Sequence, residues 1–295
     1  MNLETFEVTC IDNIVLKGQL LIPDNPKAVV QFNCGTGTNK ELYKSFLTFL
    51  TNNGYICCLW DYRGGGDSAT KGLANCNFTF SDYGIKDMTA IKNYLHNRFI
   101  NLPFLMAAHS AGGQQIGFME DLEGVKGVIN FAVSSGYYRN MLFAYRMKAY
   151  FFFYFFSPIS VLFSGFVKAK PFALMENLPK NVVYEWRDWL EKENYFFDEK
   201  YYGNTVPRGQ FKNFKFPIHT YFSVDDPISN EANTKAFWKN IEGEKEITFT
   251  KLIPEKLGLK RIGHFGFFKR IMEDKLWNDV LKKMDEYLEM NAPDK

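Results

Sequence analysis

The stretch AAHSAGG, residues 107–113, decides how the fold of this chain is read. It follows the apolar run PFLMAA, residues 103–108, whose composition is typical of a buried strand, and a short helix is expected after it. A serine at a strand-to-helix junction, with small residues two positions to either side, matches the G-x-S-x-G nucleophile elbow, with Ala108 at the first position. The pattern therefore predicts that Ser110 sits on a tight turn with its hydroxyl projecting beyond the sheet.

Strand and helix patterns alternate on both sides of this stretch. Strands are predicted at residues 6–22 (two strands around a turn), 28–33, 55–60, 103–108, 125–133, 217–223 and 246–252. Helices are predicted near residues 41–50, 82–97, 231–240 and 267–290. Such alternation predicts an α/β fold, a mostly parallel sheet with helices on both faces.

The alternation stops between residues 137 and 214, a region rich in aromatic residues and interrupted by four prolines. We therefore interpret residues 1–136 and 215–295 as the core and residues 137–214 as an insertion. Within it, residues 149–167 form a run of 19 uncharged residues, the minimum length for a membrane span. Because Pro158, Gly165 and three serines interrupt this run, we expect it to line a pocket or pack in a lid. Membrane contact through it stays an alternative that the sequence does not favour.

Composition excludes several classes of protein. The net charge is +2 and no long block carries one sign, so we expect no nucleic-acid partner. The five cysteines contain no C-x-x-C pair, which indicates neither a disulfide framework nor a zinc site. The first ten residues lack the features of a secretory signal, so a cytoplasmic location is expected. No P-loop or H-E-x-x-H motif occurs, and the glycines at 64–66 are not followed by a periodic helix. We expect no cofactor and no metal.

An elbow serine needs a base to remove its proton, and a third group to orient that base. Of the four histidines, His264 alone lies in a glycine-flanked loop between the last predicted strand and the last predicted helix. His109 adjoins the serine and is expected to point elsewhere, and His219 is interpreted as a packed strand residue. His264 is therefore the predicted base.

The acid is expected at the end of a strand, where Asp225 and Asp226 follow PIHTYFS, residues 217–223. Neighbouring side chains point in different directions, so only one of them is expected to reach the histidine. We choose Asp226 because it precedes Pro227 in the turn, and keep Asp225 as the alternative. The chain order is then Ser110, Asp226, His264, with spacings of 116 (226 minus 110) and 38 (264 minus 226) residues.

The oxyanion of an acyl-transfer intermediate needs backbone donors that are already in place. One predicted donor is the amide of Ala111, directly after the nucleophile and at a helix amino terminus. The second is expected from the glycine-containing loop after the strand at residues 28–33, and Thr36 is our choice there.

Several stretches together resemble the α/β-hydrolase superfamily, specifically its bacterial branch of lysophospholipase-like and serine-aminopeptidase-like hydrolases. They are FNCGTGTNKELYKSF (32–46), LWDYRGGGDS (59–68), AHSAGG (108–113), ENLPKNVVYEWRDWL (176–190), VDDPI (224–228) and IGHFGFF (262–268). The resemblance implies an eight-stranded, mostly parallel sheet, a helical lid at residues 137–214 inserted after the sixth strand, and Ser110, Asp226 and His264 as the triad. Two departures are Ala108 at the elbow and Cys34-Gly35 where relatives outside the branch have His-Gly. The second departure leaves the second oxyanion donor open.

The function expected from these residues is hydrolysis of a carboxylic ester or thioester through an acyl-enzyme on Ser110. The aromatic lid predicts a small-molecule substrate with an apolar acyl or aromatic group, and no acidic cluster is evident for holding a free amine. An amidase or aminopeptidase with the same triad remains an alternative. So do a hydrolase-fold binding protein without turnover and a membrane-associated protein.

Overall fold

Eight strands form one sheet in residues 1–69, 72–172 and 175–290, which the computed structural model describes. Their order across the sheet is β1-β2-β4-β3-β5-β6-β9-β10. The strands are β1 Asn2–Thr9, β2 Val15–Ile22, β3 Ala28–Asn33, β4 Tyr55–Trp60, β5 Phe104–His109, β6 Val125–Phe131, β9 Ile218–Ser223 and β10 Ile247–Leu252. Residues 70–71 and 291–295 of the predicted core and residues 173–174 of the predicted lid lie outside the described residues.

Strand pairing confirms the mostly parallel, eight-stranded sheet. β1 and β2 pair antiparallel, as do β2 and β4, whereas every other pair in this sheet is parallel. Every residue of β3, β4 and β5 is buried, as expected where helices cover both faces of a parallel sheet. Since the carboxyl ends of parallel strands lie at one edge, the loops after β3, β5, β9 and β10 meet there.

The helices lie near the predicted positions, with two differences. They are α1 Lys44–Asn52, α2 Thr89–Arg98, α3 Ala111–Gln114, α4 Phe143–Tyr150, α5 Ser157–Ser164, α6 Lys180–Leu190, α7 Glu231–Trp238 and α8 Asn278–Glu289. A π-helical segment, Tyr83–Met88, precedes α2, which begins at Thr89 rather than near residue 82. The carboxyl-terminal helix was predicted from residue 267 but begins later, since short 3₁₀ turns and a π-helical segment precede α8. Phe267 and Phe268, in the first of these 3₁₀ turns, are both buried.

The insertion between β6 and β9 begins with a long helix. α4, a π-helical segment Phe151–Phe156 and α5 run continuously over Phe143–Ser164, which we call the aromatic helix. By length and composition alone it could cross a membrane, but one such helix is weak evidence of a span. A two-stranded sheet, β7 Phe166–Val167 with β8 Leu178–Pro179, joins it to α6.

Aromatic packing holds the insertion against the core. The ring of Trp189 in α6 stacks on Phe80 with centroids 5.5 Å apart, and Trp186 packs edge-on against Phe153 of the aromatic helix at 5.2 Å. Further along, Phe196 contacts Phe118 of the core at 5.0 Å. The start of the insertion therefore lies over the carboxyl edge of the sheet, while its last part packs beside the core.

Candidate active site

Ser110 occupies a strained turn between β5 and α3. Its φ of 52° and ψ of −122° are unusual for a residue with a side chain. The turn is held because its amide donates to the carbonyl of Phe131 at 2.9 Å and its own carbonyl accepts from the amide of Gly113 at 3.0 Å. This geometry projects the Ser110 hydroxyl into a cavity at the sheet edge.

The small residues around Ser110 are steric requirements. A Cβ on Gly112 would lie 2.2 Å from the carbonyl oxygen of Asn33 and 2.7 Å from that of Cys34. A Cβ on Gly113 would lie 2.4 Å from Val133. Because backbone atoms of β3 and its loop cannot give way cheaply, glycine is needed at position 112. At position 108 the strand accommodates alanine, which is fully buried.

The structure brings Ser110, His264 and Asp226 together. The Nε2 atom of His264 is 3.1 Å from the Oγ of Ser110, and its Nδ1 is 2.8 Å from the Oδ2 of Asp226. A carboxylate only accepts, so we assign the proton to Nδ1, which leaves Nε2 to accept from the serine hydroxyl. The arrangement can remove a proton from Ser110 and stabilise the resulting imidazolium.

The two neighbouring aspartates have different partners. The Oδ1 of Asp226, on a buried side chain, accepts from the amides of Ile228 and Ser229 at 2.8 and 2.9 Å, so its Oδ2 faces His264. Asp225 instead accepts from the amides of Ile262 and Gly263, both at 3.0 Å.

Burial opposes the charge of Asp225, but hydrogen bonds from the Ser223 hydroxyl and the two loop amides outweigh it and lower its pKa. Asp225 therefore ties the end of β9 to the loop that carries the histidine.

His109, which sequence reasoning treated as a mere neighbour of the serine, is part of a buried hydrogen-bond chain. Its Nε2 lies 2.9 Å from the carbonyl oxygen of His264, so this nitrogen carries the proton. Its Nδ1 then accepts from the Tyr43 hydroxyl at 2.9 Å, and that oxygen accepts from the Gly35 amide at 3.0 Å.

Burial, and then the nearby His264, hold the pKa of His109 well below its usual range, so the ring is neutral. The chain links the loop after β3 to the backbone of His264. A fully buried imidazole needs hydrogen-bond partners for its ring nitrogens. A histidine at the end of a predicted buried strand was therefore the sequence feature that could have indicated this role.

Both predicted oxyanion donors, Ala111 and Thr36, border the same cavity as Ser110. α3 has only four residues, so the helix dipole at the Ala111 amide is weaker than in a regular helix. The Thr36 hydroxyl is buried and, within the described residues, has no hydrogen-bond partner.

A buried ion pair anchors the loop that carries Thr36. Nζ of Lys40 lies 2.6 Å from a carboxylate oxygen of Asp61 and also pairs with Asp67. Burial opposes the charge of Lys40, but its bonds to Asp61 and Asp67 outweigh that effect and raise its pKa. In the same motif, Arg63 pairs with buried Asp87 at 2.7 Å. The LWDYRGGGDS stretch thus anchors the loop that carries Thr36, the predicted second oxyanion donor.

The cavity at Ser110 has a volume of about 300 Å³ and is largely apolar. The insertion contributes the aromatic and aliphatic side chains of Met141, Tyr145, Ala149, Phe152, Phe153, Met175, Trp186 and Leu190. No acidic side chain is among the described residues that line it. In the same described part of the chain, no group of three or more His, Cys, Asp or Glu side chains is placed to hold a metal ion.

An elbow serine, followed by an acid and a histidine on successive loops of a mostly parallel eight-stranded sheet, is the arrangement typical of the α/β-hydrolase fold, and this chain has that fold. The family model described as "Serine aminopeptidase, S33" matches residues 24–140. No curated protein sequence matches the chain significantly.

Solved structures match over nearly the whole chain. A soluble variant of monoglyceride lipase from Saccharomyces cerevisiae has a TM-score of 0.65 at 14% identity, covering 97% of this chain and 95% of that one. An esterase from Pyrococcus furiosus gives 0.62 at 15% identity, covering 97% and 91%. A carboxyl esterase from Bacillus coagulans gives 0.60 at 13% identity, covering 97% and 99%. At these low sequence identities, the similarity shows a shared fold only.

Proposed function

We propose that this protein is a serine hydrolase that cleaves carboxylic esters through an acyl-enzyme on Ser110. The observation that carries the proposal is the hydrogen-bonded line from Ser110 through His264 to Asp226, with contacts of 3.1 and 2.8 Å, at the wall of an apolar cavity. The same chemistry extends to thioesters, because the attacked carbonyl carbon is equivalent.

In the proposed mechanism His264 takes the Ser110 proton as Oγ attacks the ester carbonyl. The amides of Ala111 and Thr36 donate to the resulting oxyanion, an interaction for which each donor supplies about 10²- to 10³-fold in rate. His264 then protonates the leaving alkoxide, and the acyl group stays on Ser110. A water molecule, deprotonated by His264, attacks the acyl-enzyme and releases the carboxylic acid, which restores the serine.

The apolar lining favours an ester with an aliphatic or aromatic acyl group. A free amino terminus needs a carboxylate to bind its charge, and the described residues lining the cavity supply none. The family match to serine aminopeptidases keeps aminopeptidase activity as the second candidate. Residues 137–214 are proposed as the lid, since their side chains form much of the cavity wall. A cytoplasmic location remains part of the proposal, in keeping with five free cysteines.

A substrate panel tests the proposal. p-Nitrophenyl esters of increasing acyl length are compared with aminoacyl p-nitroanilides, using the wild type, Ser110→Ala and, as a control, Ser45→Ala on an exposed face of α1. We expect ester hydrolysis that Ser110→Ala abolishes and Ser45→Ala leaves unchanged. Preferential cleavage of the anilides would make the protein an aminopeptidase, and hydrolysis that survives Ser110→Ala would overturn the mechanism.

A further inference from the structure

The aromatic helix has two apolar faces, of which only one is covered. Its inner face lines the active-site cavity through Tyr145, Phe152 and Phe153. Its outer face carries large apolar side chains every four residues, each between 42% and 83% exposed: Phe143, Met147, Phe151, Phe155, Ile159 and Phe163. We call these six residues the outer stripe. Residues four apart are neighbours on a helix surface, so these six form a continuous strip along the helix, over roughly 30 Å at 1.5 Å per residue.

This exposure is unusual within the molecule. Among the described residues, 20 large apolar side chains are exposed, and ten of them lie between positions 142 and 172. Soluble monomers rarely leave a contiguous apolar patch of this kind uncovered, and such patches mark contact with a membrane or another protein.

Charge around the stripe favours an anionic lipid surface as its occupant. From residue 124 to residue 175 the sequence contains no aspartate or glutamate but six basic residues, although the whole chain carries only +2. Lys148 in the aromatic helix and Lys168 and Lys170 just after it are exposed. The amide of Lys168 bonds to the Ser160 hydroxyl, and Lys170 pairs with Glu176 at 2.9 Å. Pairing this face with a second copy of itself would bring like charges together, whereas anionic head groups complement them.

The packing of the inner face indicates a helix that lies in the plane of the membrane surface. Phe153 and Ser157 are buried, and Phe153 packs against Trp186. If the aromatic helix crossed a bilayer, it would lose these contacts and the cavity wall would open. A helix with one face on the protein and an apolar face flanked by lysines instead fits the boundary between head groups and acyl chains.

The outer face is also continuous with the cavity. Met147, Lys148, Phe151, Phe152 and Phe156 border an open apolar groove of about 400 Å³ on the helix surface. Phe152 and Lys148 border the cavity as well, so the groove and the Ser110 cavity share two lining side chains. An acyl chain in the lipid surface thus has an apolar site directly beside the cavity.

We propose that the outer stripe docks the protein onto the surface of an anionic lipid bilayer. Binding of the full-length wild type is measured by co-sedimentation with phosphatidylcholine vesicles, with and without about one third phosphatidylglycerol. We expect binding to the anionic vesicles that weakens as salt is raised, and weaker binding to phosphatidylcholine alone.

Two sets of variants separate the apolar and the charged contributions. Phe151→Ser/Phe155→Ser, at a mutually packed exposed pair, is expected to weaken vesicle binding at least about tenfold. Lys168→Gln and Lys170→Gln are each expected to weaken binding to anionic vesicles about fivefold. The matched control Ile100→Ser/Ile271→Ser removes two exposed side chains elsewhere and should bind like the wild type.

Vesicle binding requires no turnover, so its outcome is independent of the proposed hydrolysis. Circular dichroism and thermal melting show whether each variant is folded. Wild type that binds neither vesicle, or a control that loses as much binding as the stripe variant, would overturn the proposal. A concentration-dependent dimer in sedimentation equilibrium that Phe151→Ser/Phe155→Ser abolishes, without vesicle binding, would instead make the stripe an interface between two copies.

Discussion

Replacing Asp226 by asparagine is predicted to abolish most activity by changing the tautomer of His264. The Oδ1 of Asp226 accepts from two backbone amides, those of Ile228 and Ser229, and only an oxygen can keep both bonds. The asparagine side chain is therefore oriented with its NH₂ group 2.8 Å from Nδ1 of His264, where Oδ2 now lies. Nδ1 must then accept, so the ring proton moves to Nε2 and faces Ser110, which leaves no base.

The size of the expected loss of activity follows from this change of the His264 tautomer. Loss of the correct tautomer in a Ser-His-Asp site costs about 10⁴-fold in kcat, or about 5 kcal/mol of barrier. Asp226 does not border the cavity, so its replacement should leave substrate binding largely unchanged. The loss should therefore appear in kcat, while KM changes less than about threefold. Stability should change by no more than about 1 kcal/mol, because both backbone amides keep their acceptor.

The assay is steady-state hydrolysis of a p-nitrophenyl ester by the wild type, Asp226→Asn and the matched control Asp225→Asn. Asp225 contacts the histidine loop rather than the ring, so its variant should keep kcat within about tenfold while melting at a lower temperature. Activity of Asp226→Asn within tenfold of wild type, or a larger loss in Asp225→Asn, would refute the assignment of Asp226 as the acid.

Three further predictions concern the elbow, the buried histidine and the insertion. Gly112→Ala should lower stability by at least about 2 kcal/mol in chemical denaturation, because its Cβ meets backbone at 2.2 Å, whereas Gly65→Ala, with its nearest atom at 3.6 Å, should not. His109→Phe removes both hydrogen bonds of the ring and should lower kcat about ten- to hundredfold with KM unchanged. His109→Gln, which can still donate a hydrogen bond, should recover part of that loss. An equal loss in both variants would contradict a positioning role for His109. Burial, then Asp82 and Asp188, raise the pKa of Glu185 from 4.5 to about 7. The folded protein therefore holds this proton more tightly than the unfolded chain, and the associated stability is complete below pH 4.5 and lost as pH rises through about 7. Wild type should lose about 1–2 kcal/mol more stability than Glu185→Gln between pH 5 and 8, and parallel pH profiles would contradict this.

The sheet could be predicted because its central strands are buried on both faces. The runs at residues 28–33 and 55–60 are mostly apolar, and the structure assigns strands with the same bounds. Sequence alone predicts that the three residues proposed as the triad lie close together, because each follows the end of a parallel strand and these ends share one edge of the sheet. The structure places their side chains within hydrogen-bonding distance.

Features that depend on contacts between distant elements could not be predicted. The role of His109 requires knowing that Tyr43 and the carbonyl of His264 lie on either side of its ring, at sequence separations of 66 and 155 residues. The orientation of the aromatic helix was equally inaccessible, because residues 149–156 are apolar all round and carry no stripe that marks an inner face. The packing of Phe153 on Trp186 and the burial of Ser157 identify which side is covered.

The most direct test of the central claim is to locate the residue that a fluorophosphonate probe modifies. Intact mass and peptide mass spectrometry are applied to the wild type, Ser110→Ala and His264→Ala. We predict one adduct per chain on the peptide containing Ser110, no adduct in Ser110→Ala and slow labelling in His264→Ala, because the base that activates the hydroxyl is gone. An adduct on another residue, or equal labelling of all three proteins, would contradict a nucleophilic role for Ser110.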